Sequence, residues 1–179
     1  MSFAQKKYDL ALKYCQPAAE QGDPEAQYYL GLMYEKGFGL KQDYTEAMNW
    51  YIKAAEQYNK DALCSLANMY LEGEGVKQDY FKAFEWYQKA AEQGNADAQL
   101  NLGFMYENGR GVKQDYFKAV EWYQKAAEQG LAYAQYNLGN MYYNGQGVRQ
   151  NYTKAKEYFG LACDNKYQAG CDMYRKLNQ

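Results

Sequence analysis

The sequence contains no histidine, and its only aliphatic hydroxyls are Ser2, Ser65, Thr45 and Thr153. The first absence removes the commonest general base near neutral pH, and with it any Ser-His or Cys-His nucleophilic pair. Neither Ser2 nor Ser65 opens an S-x-x-K motif, and no C-x-x-C or His/carboxylate cluster offers a zinc site. No catalytic residue, metal or cofactor is therefore expected. Long apolar runs are missing too. None approaches the ~20 residues that span a bilayer, and the opening MSFAQKKYDLALKYC is too short in apolar residues for a signal peptide. The expectation is a cytoplasmic protein, or a periplasmic or secreted one whose chain begins after a removed signal. Charge of one sign is also lacking: 20 basic residues against 22 acidic give a formal −2. No whole-chain field favours nucleic acid or an anionic membrane.

What the chain has is aromatic bulk and repetition. It carries 22 Tyr, 7 Phe and 3 Trp within a 47% hydrophobic composition, ample for a packed core. Residues 76–94 read VKQDYFKAFEWYQKAAEQG and residues 112–130 read VKQDYFKAVEWYQKAAEQG, differing only at Phe84 and Val120. The same 36-residue offset finds weaker copies at 40–58 and 148–166. A fixed period of this size marks a solenoid, whose units bury their apolar faces against neighbours.

Each unit reads as two helices. The first, over 24–36, 60–72, 96–108 and 132–144, starts after a capping residue at Asp23, Asn59 and Asn95, a slot that Leu131 leaves unfilled. Pro24 suits the first helical position. Ala26, Leu30, Met33 and Tyr34 recur at helical spacing as an inward stripe. Gly31, Ala67, Gly103 and Gly139 put a small residue in mid-helix, which predicts close helix–helix approach. A turn with glycine at two fixed places follows, as in Gly37 and Gly39. It lacks the preceding strand and third glycine of a dinucleotide loop. Asp43, Asp79, Asp115 and Asn151 cap the second helix, whose inward face runs Tyr44, Ala47, Met48, Tyr51, Ala54 and Ala55. Trp50, Trp86 and Trp122 are expected to fill the seam to the next unit. Residues 1–22 match a second helix alone, with Cys15 in the place of Tyr51 and Pro17 placed to kink or shorten its last turns. Gly94 and Gly130 close two second helices, where Tyr58 and Lys166 depart from the pattern.

The stretch AQLNLGFMYENGRGVKQDYFKAVEWYQKAAEQG, residues 98–130, resembles the Sel1-like repeat, a relative of the tetratricopeptide repeat. The resemblance covers nearly the whole chain. It divides a single 1–179 domain into an N-terminal half-repeat cap (1–25), repeats at 26–61, 62–97, 98–133 and 134–169, and a capping helix at 170–179. It implies an all-α fold, a right-handed α/α superhelical solenoid of antiparallel helix pairs, and an adaptor role in protein assemblies. ACDNKYQAGC at 162–171 is similar to the cysteine pair of bacterial cysteine-rich Sel1-like proteins, which implies a disulfide between Cys163 and Cys171; two free thiols in a reducing cytosol remain the alternative. Cys15 and Cys64 read as buried small hydrophobes.

The face of each first helix opposite the core is expected to line the concave groove inside the superhelix and is the candidate partner surface. It carries Tyr29, Leu32 and Lys36; Ser65, Asn68 and Glu72; Asn101, Phe104 and Asn108; and Asn137, Asn140 and Asn144. These residues change between units while the inward ones hardly do. Asparagine offers both a donor and an acceptor to an extended peptide, a use the resemblance also implies, and Tyr29 and Phe104 could anchor it. The ladder Lys41, Lys77, Lys113 and Arg149 could track phosphates, but Asp43, Asp79 and Asp115 lie two residues away and cancel much of its field. Glu85, Glu121 and Glu157 read as solvated. The expectation is a monomeric, non-catalytic scaffold for a protein or extended peptide, with no nucleic acid and no membrane insertion. Alternatives are a toxin-sequestering immunity protein, a self-associating array, and a hydrolase of cell-wall or β-lactam substrates, which the missing motifs disfavour.

Overall fold

A computed structural model describes residues 3–178, and no strand occurs among them. The first helices begin where their caps stand. α1 (Phe3–Glu20) leads into α2 (Pro24–Lys36), and α4 (Lys60–Glu72), α6 (Ala96–Asn108) and α8 (Ala132–Asn144) repeat the latter. The Ala26 N–H donates to Asp23 Oδ1 at 2.7 Å, and the Ala98 N–H to Asn95 Oδ1 at 2.8 Å. Leu131 supplies no such acceptor to α8. Each of these helices ends on a glycine with φ between 66° and 76° (Gly37, Gly73, Gly109 and Gly145), the left-handed geometry that glycine reaches without Cβ strain. The second glycine of the turn answers to a close approach as well. A Cβ on Gly75 would stand 2.5 Å from that of Tyr44.

The second helices are α3 (Tyr44–Glu56), α5 (Tyr80–Glu92), α7 (Tyr116–Glu128) and α9 (Tyr152–Asp164); α10 (Gln168–Lys176) is a further helix of the first type. Asp43, Asp79 and Asp115 each accept two backbone N–H groups of the turn that follows. α1 does not stop at Pro17. It runs on to Glu20, with the Gln21 N–H on the Pro17 carbonyl at 3.1 Å, so the lost donor neither ends nor shortens the helix.

The chain divides between Gln93 and Gly94 into two compact units. In the first, α2 lies between α1 and α3 and α4 between α3 and α5, each packing more closely on the helix after it. Leu30, Tyr51, Leu66, Met69 and Tyr87 are sealed in this core. In the second unit Leu102, Met105, Tyr123, Leu138, Met141 and Phe159 do the same. Burial of one such side chain contributes about 1.5–3 kcal/mol, so the rings of the second helices supply much of the cohesion. They fit because the opposing first helix is bare: the ring of Tyr51 lies where a Cβ on Gly31 would be, and that of Phe159 against Gly139.

The tryptophans face the other way from the sequence expectation. Trp50 packs on Ala19, Ala26 and Leu30, which belong to α1 and α2. Trp86 shares a groove with Ile52, Ala55 and Leu63 of α3 and α4. Each ring therefore closes the seam to the preceding helix pair, because it stands one residue before the inward tyrosine, on the side turned back along the chain. Lys53 and Lys89 cover the outer faces of Trp50 and Trp86 at 3.8 and 4.3 Å from the ring centroids.

Candidate partner-binding surface

In the first unit, α2 and α4 present Tyr29, Leu32, Ser65 and Asn68 outside the core, with Lys36 and Glu72 at the ends of the helices. Tyr29 and Asn68 are exposed, and Leu32 and Ser65 half-buried. In the second unit, Phe104, Asn108 and Asn144 are exposed, and Asn101, Asn137 and Asn140 half-buried. None of these residues is sealed in the core. Arg110 lies 5.1 Å over the Phe104 ring, and Asn108 Nδ2 donates to the Phe104 carbonyl at 2.9 Å, which orders the end of α6.

Beneath this surface lies a feature that periodicity does not reveal. The buried tyrosines of the second helices send their hydroxyls up between the first helices. Tyr51 O–H donates to Glu35 Oε2 at 2.6 Å, and Ser65 of the following first helix also bonds that hydroxyl. Tyr123 repeats the arrangement, donating to Glu107 Oε2 at 2.5 Å and meeting Asn137. Tyr87 O–H donates to Asn68 Oδ1; the residue in its unit corresponding to Glu35 is Leu71. Burial, followed by the hydrogen bond to and charge of Glu35, pushes the Tyr51 phenol well above 10.0; Tyr123 is raised by burial and Glu107 in the same way. Tyr28, raised to about 12 mainly by burial and next by Asp61, is also held neutral. Two surface positions, Ser65 and Asn137, are thus tied to the core by the ring beneath them.

A second polar system links successive helix pairs. Gln27, Gln99 and Gln135 are buried, a placement the inward stripe did not anticipate. Gln27 Nε2 donates to the Ala19 carbonyl and Gln135 Nε2 to the Ala127 carbonyl, both at 3.2 Å. Their side-chain oxygens accept in turn: Gln57 Nε2 reaches Gln27 at 2.9 Å and Asn165 Nδ2 reaches Gln135 at 2.9 Å. Buried amides fully paired in this way cost little and fix one register. The recurring glutamine at a fixed position was the available signal. At the last copy of this slot the chain changes chemistry. Cys163 and Cys171, which follow Ala127 and Gln135 by one repeat, form a disulfide with Cα atoms 4.5 Å apart that joins α9 to α10. Cys64 is buried, whereas Cys15 is half-buried, its Sγ donating to the Ala26 carbonyl at 3.1 Å.

Among the described residues no group of three or more Cys, Asp or Glu side chains is placed to hold a metal ion, and no helix is long and apolar enough to cross a membrane. Lys41, Lys77, Lys113 and Arg149 are exposed.

The profile of the Sel1 repeat matches five consecutive stretches, residues 3–23, 24–59, 60–95, 96–131 and 132–167. The chain belongs to the Sel1 repeat family. Its Sel1 repeats form an all-helical solenoid fold shared with solved relatives. A Sel1 repeat protein from Oxalobacter formigenes is 37% identical with a TM-score of 0.86, over 93% of this chain and 48% of that one. A protective antigen of uropathogenic Escherichia coli strains is 38% identical with a TM-score of 0.82, over 88% of this chain and 37% of that one. Cysteine-rich protein B of Helicobacter pylori is 30% identical with a TM-score of 0.59, over 74% of this chain and 96% of that one. The chain thus spans less than half the length of the first two. No curated protein sequence matches it at a significant level.

Proposed function

We propose that this chain is a non-catalytic binding module that takes a protein or an extended peptide on the outward face of its first helices. The observation that carries this reading is the contrast within one sequence. Ala47, Ala83, Ala119 and Ala155 are identical and fully buried, and so are Ala54, Ala90, Ala126 and Ala162. The face residues instead run Tyr29, Ser65, Asn101 and Asn137 at one slot, and Leu32, Asn68, Phe104 and Asn140 at the next. Packing demands sameness of the first set, and constrains the second only where a buried phenol reaches Ser65, Asn68 or Asn137. Amides with both donor and acceptor capacity suit an extended backbone, and Tyr29 and Phe104 supply exposed rings of the kind that dominate binding energy. Membership of the Sel1 repeat family supports a scaffold rather than an enzyme.

The test is selection from a displayed random-peptide library on the wild-type protein, followed by titration of the selected peptides. The double variant Asn101→Ala/Asn137→Ala is expected to bind them at least about tenfold more weakly while keeping its helical circular dichroism. Equal affinity for the double variant would place the contact elsewhere and overturn the assignment.

A further inference from the structure

Two carboxylates of the first helices stand in the same slot and differ in one respect. Glu35 on α2 and Glu107 on α6 are both half-buried. Each accepts a phenol O–H on Oε2, from Tyr51 at 2.6 Å and from Tyr123 at 2.5 Å. Glu35 engages its other oxygen within the chain, where Oε1 pairs with the ammonium of Lys36. The slot of Lys36 in α6 is Asn108, whose amide donates to the Phe104 carbonyl instead. Among the described residues, no hydrogen bond or ion pair reaches Glu107 Oε1.

The helices around Glu107 do not supply the missing charge. α6 carries Asp97 and Glu107 without a basic residue, and α8 has no charged residue at all. Arg110, in the turn after α6, lies over the Phe104 ring. A carboxylate partly withdrawn from water without a cation is costly, and a cation brought to it forms a charge-assisted bond.

A second acceptor stands beside the first. A phenol has one proton, and Tyr123 gives it to Glu107. Asn137, which also bonds that hydroxyl, must therefore do so through its amide N–H, and its side-chain oxygen remains an acceptor. One hydroxyl thus ties a carboxylate on α6 to an amide on α8. Phe104 stands three residues before Glu107, a neighbour on the same helix face. Two acceptors beside a ring suit an ammonium or guanidinium whose carbon stem lies on the ring.

We propose that Glu107 receives a basic side chain, lysine or arginine, of the segment bound on the outward face, with Asn137 as the second acceptor. The inference rests on the binding reading above and adds to it the charge of the partner. Lys36 is the internal counterpart of the incoming cation: it shows what the slot accepts, and it occupies the copy at Glu35.

N-acetyl-argininamide and its neutral isostere N-acetyl-citrullinamide test this on the full chain, with the side-chain amide signals of Asn137 followed by nuclear magnetic resonance. The arginine probe is expected to bind at least about tenfold more tightly than the citrulline one. Glu107→Gln keeps an acceptor for Tyr123 and is expected to remove the difference. Asn108→Lys is expected to remove it too, since it leaves Glu107 in place and gives it the partner that Glu35 has. Equal affinity for the two probes on the wild-type protein would overturn the proposal, as would an arginine preference that survives either substitution. The library peptides separate this assignment from the reading beneath it. Peptides that weaken on Asn101→Ala/Asn137→Ala but not on Glu107→Gln would leave the binding face standing and overturn the basic-residue site.

Discussion

Gly31 and Tyr51 occupy one space: a Cβ at residue 31 would stand 2.7 Å from the Cδ1 and Cε1 atoms of the tyrosine ring. Glycine in a helix interior ordinarily costs about 0.5–1 kcal/mol against alanine. Gly31→Ala is nevertheless expected to destabilise by about 1–3 kcal/mol, because the ring is wholly buried and overpacking forces it off its rotamer. The urea midpoint reads the effect. Ala67→Gly is the control: there the slot already tolerates a methyl, and the glycine is expected to lose about 1 kcal/mol.

The disulfide and the glutamine bridge occupy equivalent slots, so one can stand in for the other. Removing the Cys163–Cys171 link is expected to cost about 2–3 kcal/mol, the range for a short closed loop. The replacement Cys163→Ala/Cys171→Gln restores the Ala127/Gln135 pairing and is expected to lose less than Cys163→Ala/Cys171→Ala. Hydrogen exchange in α10 is the measurement, since that helix is the one the link secures.

Lys166 holds φ at 65° where Gly94 and Gly130 hold 83° and 85° in the two repeats before it. A side chain in this region costs about 1 kcal/mol. Lys166 is exposed, so Lys166→Gly is expected to raise stability by about 0.5–1 kcal/mol, visible as a higher melting temperature.

Alkaline pH should unfold the protein through its phenols. Tyr28 is raised to about 12 in the fold, and Tyr51 and Tyr123 are raised as well, from an ordinary 10.0. A raised folded value means that the fold prefers the neutral form. Its contribution is complete below pH 10.0 and declines as pH climbs through about 12. Melting temperatures are therefore expected to hold at neutral pH and to drop steeply in that window. Tyr123→Phe should lower stability at neutral pH by about 1.5–3 kcal/mol, the net worth of a hydrogen bond to a charged group, yet make the alkaline drop shallower.

The helix limits were legible because capping chemistry is local. Asp23, Asn59 and Asp43 mark their helices by what a side-chain oxygen does two or three residues on, and the structure begins α2, α4 and α3 after them. The mid-helix glycines were legible as close approaches, though not the rings they admit. The direction in which Trp50 and Trp86 pack was not legible, since a period names a face and leaves open which neighbour lies beyond it. Pro17 did not shorten α1, because the missing donor affects one bond of a helix whose neighbours hold. The placement of Asn101 and Asn137 outside the core follows from the apolar stripe opposite them, but the Tyr123 hydroxyl beneath Asn137 comes from another helix, and no spacing within one helix announces it.

The tie between Tyr123 and Asn137 restricts the alphabet available to the outer face. A side chain at that slot must satisfy a phenol from below before it can greet a visitor from above, so Ser65 and Asn137 are chosen twice over. Where the pillar is Phe159, which has no hydroxyl, the matching residue is the apolar Met173. Attempts to retarget this protein will find such positions stubborn unless the pillar and the letter above it are rewritten together.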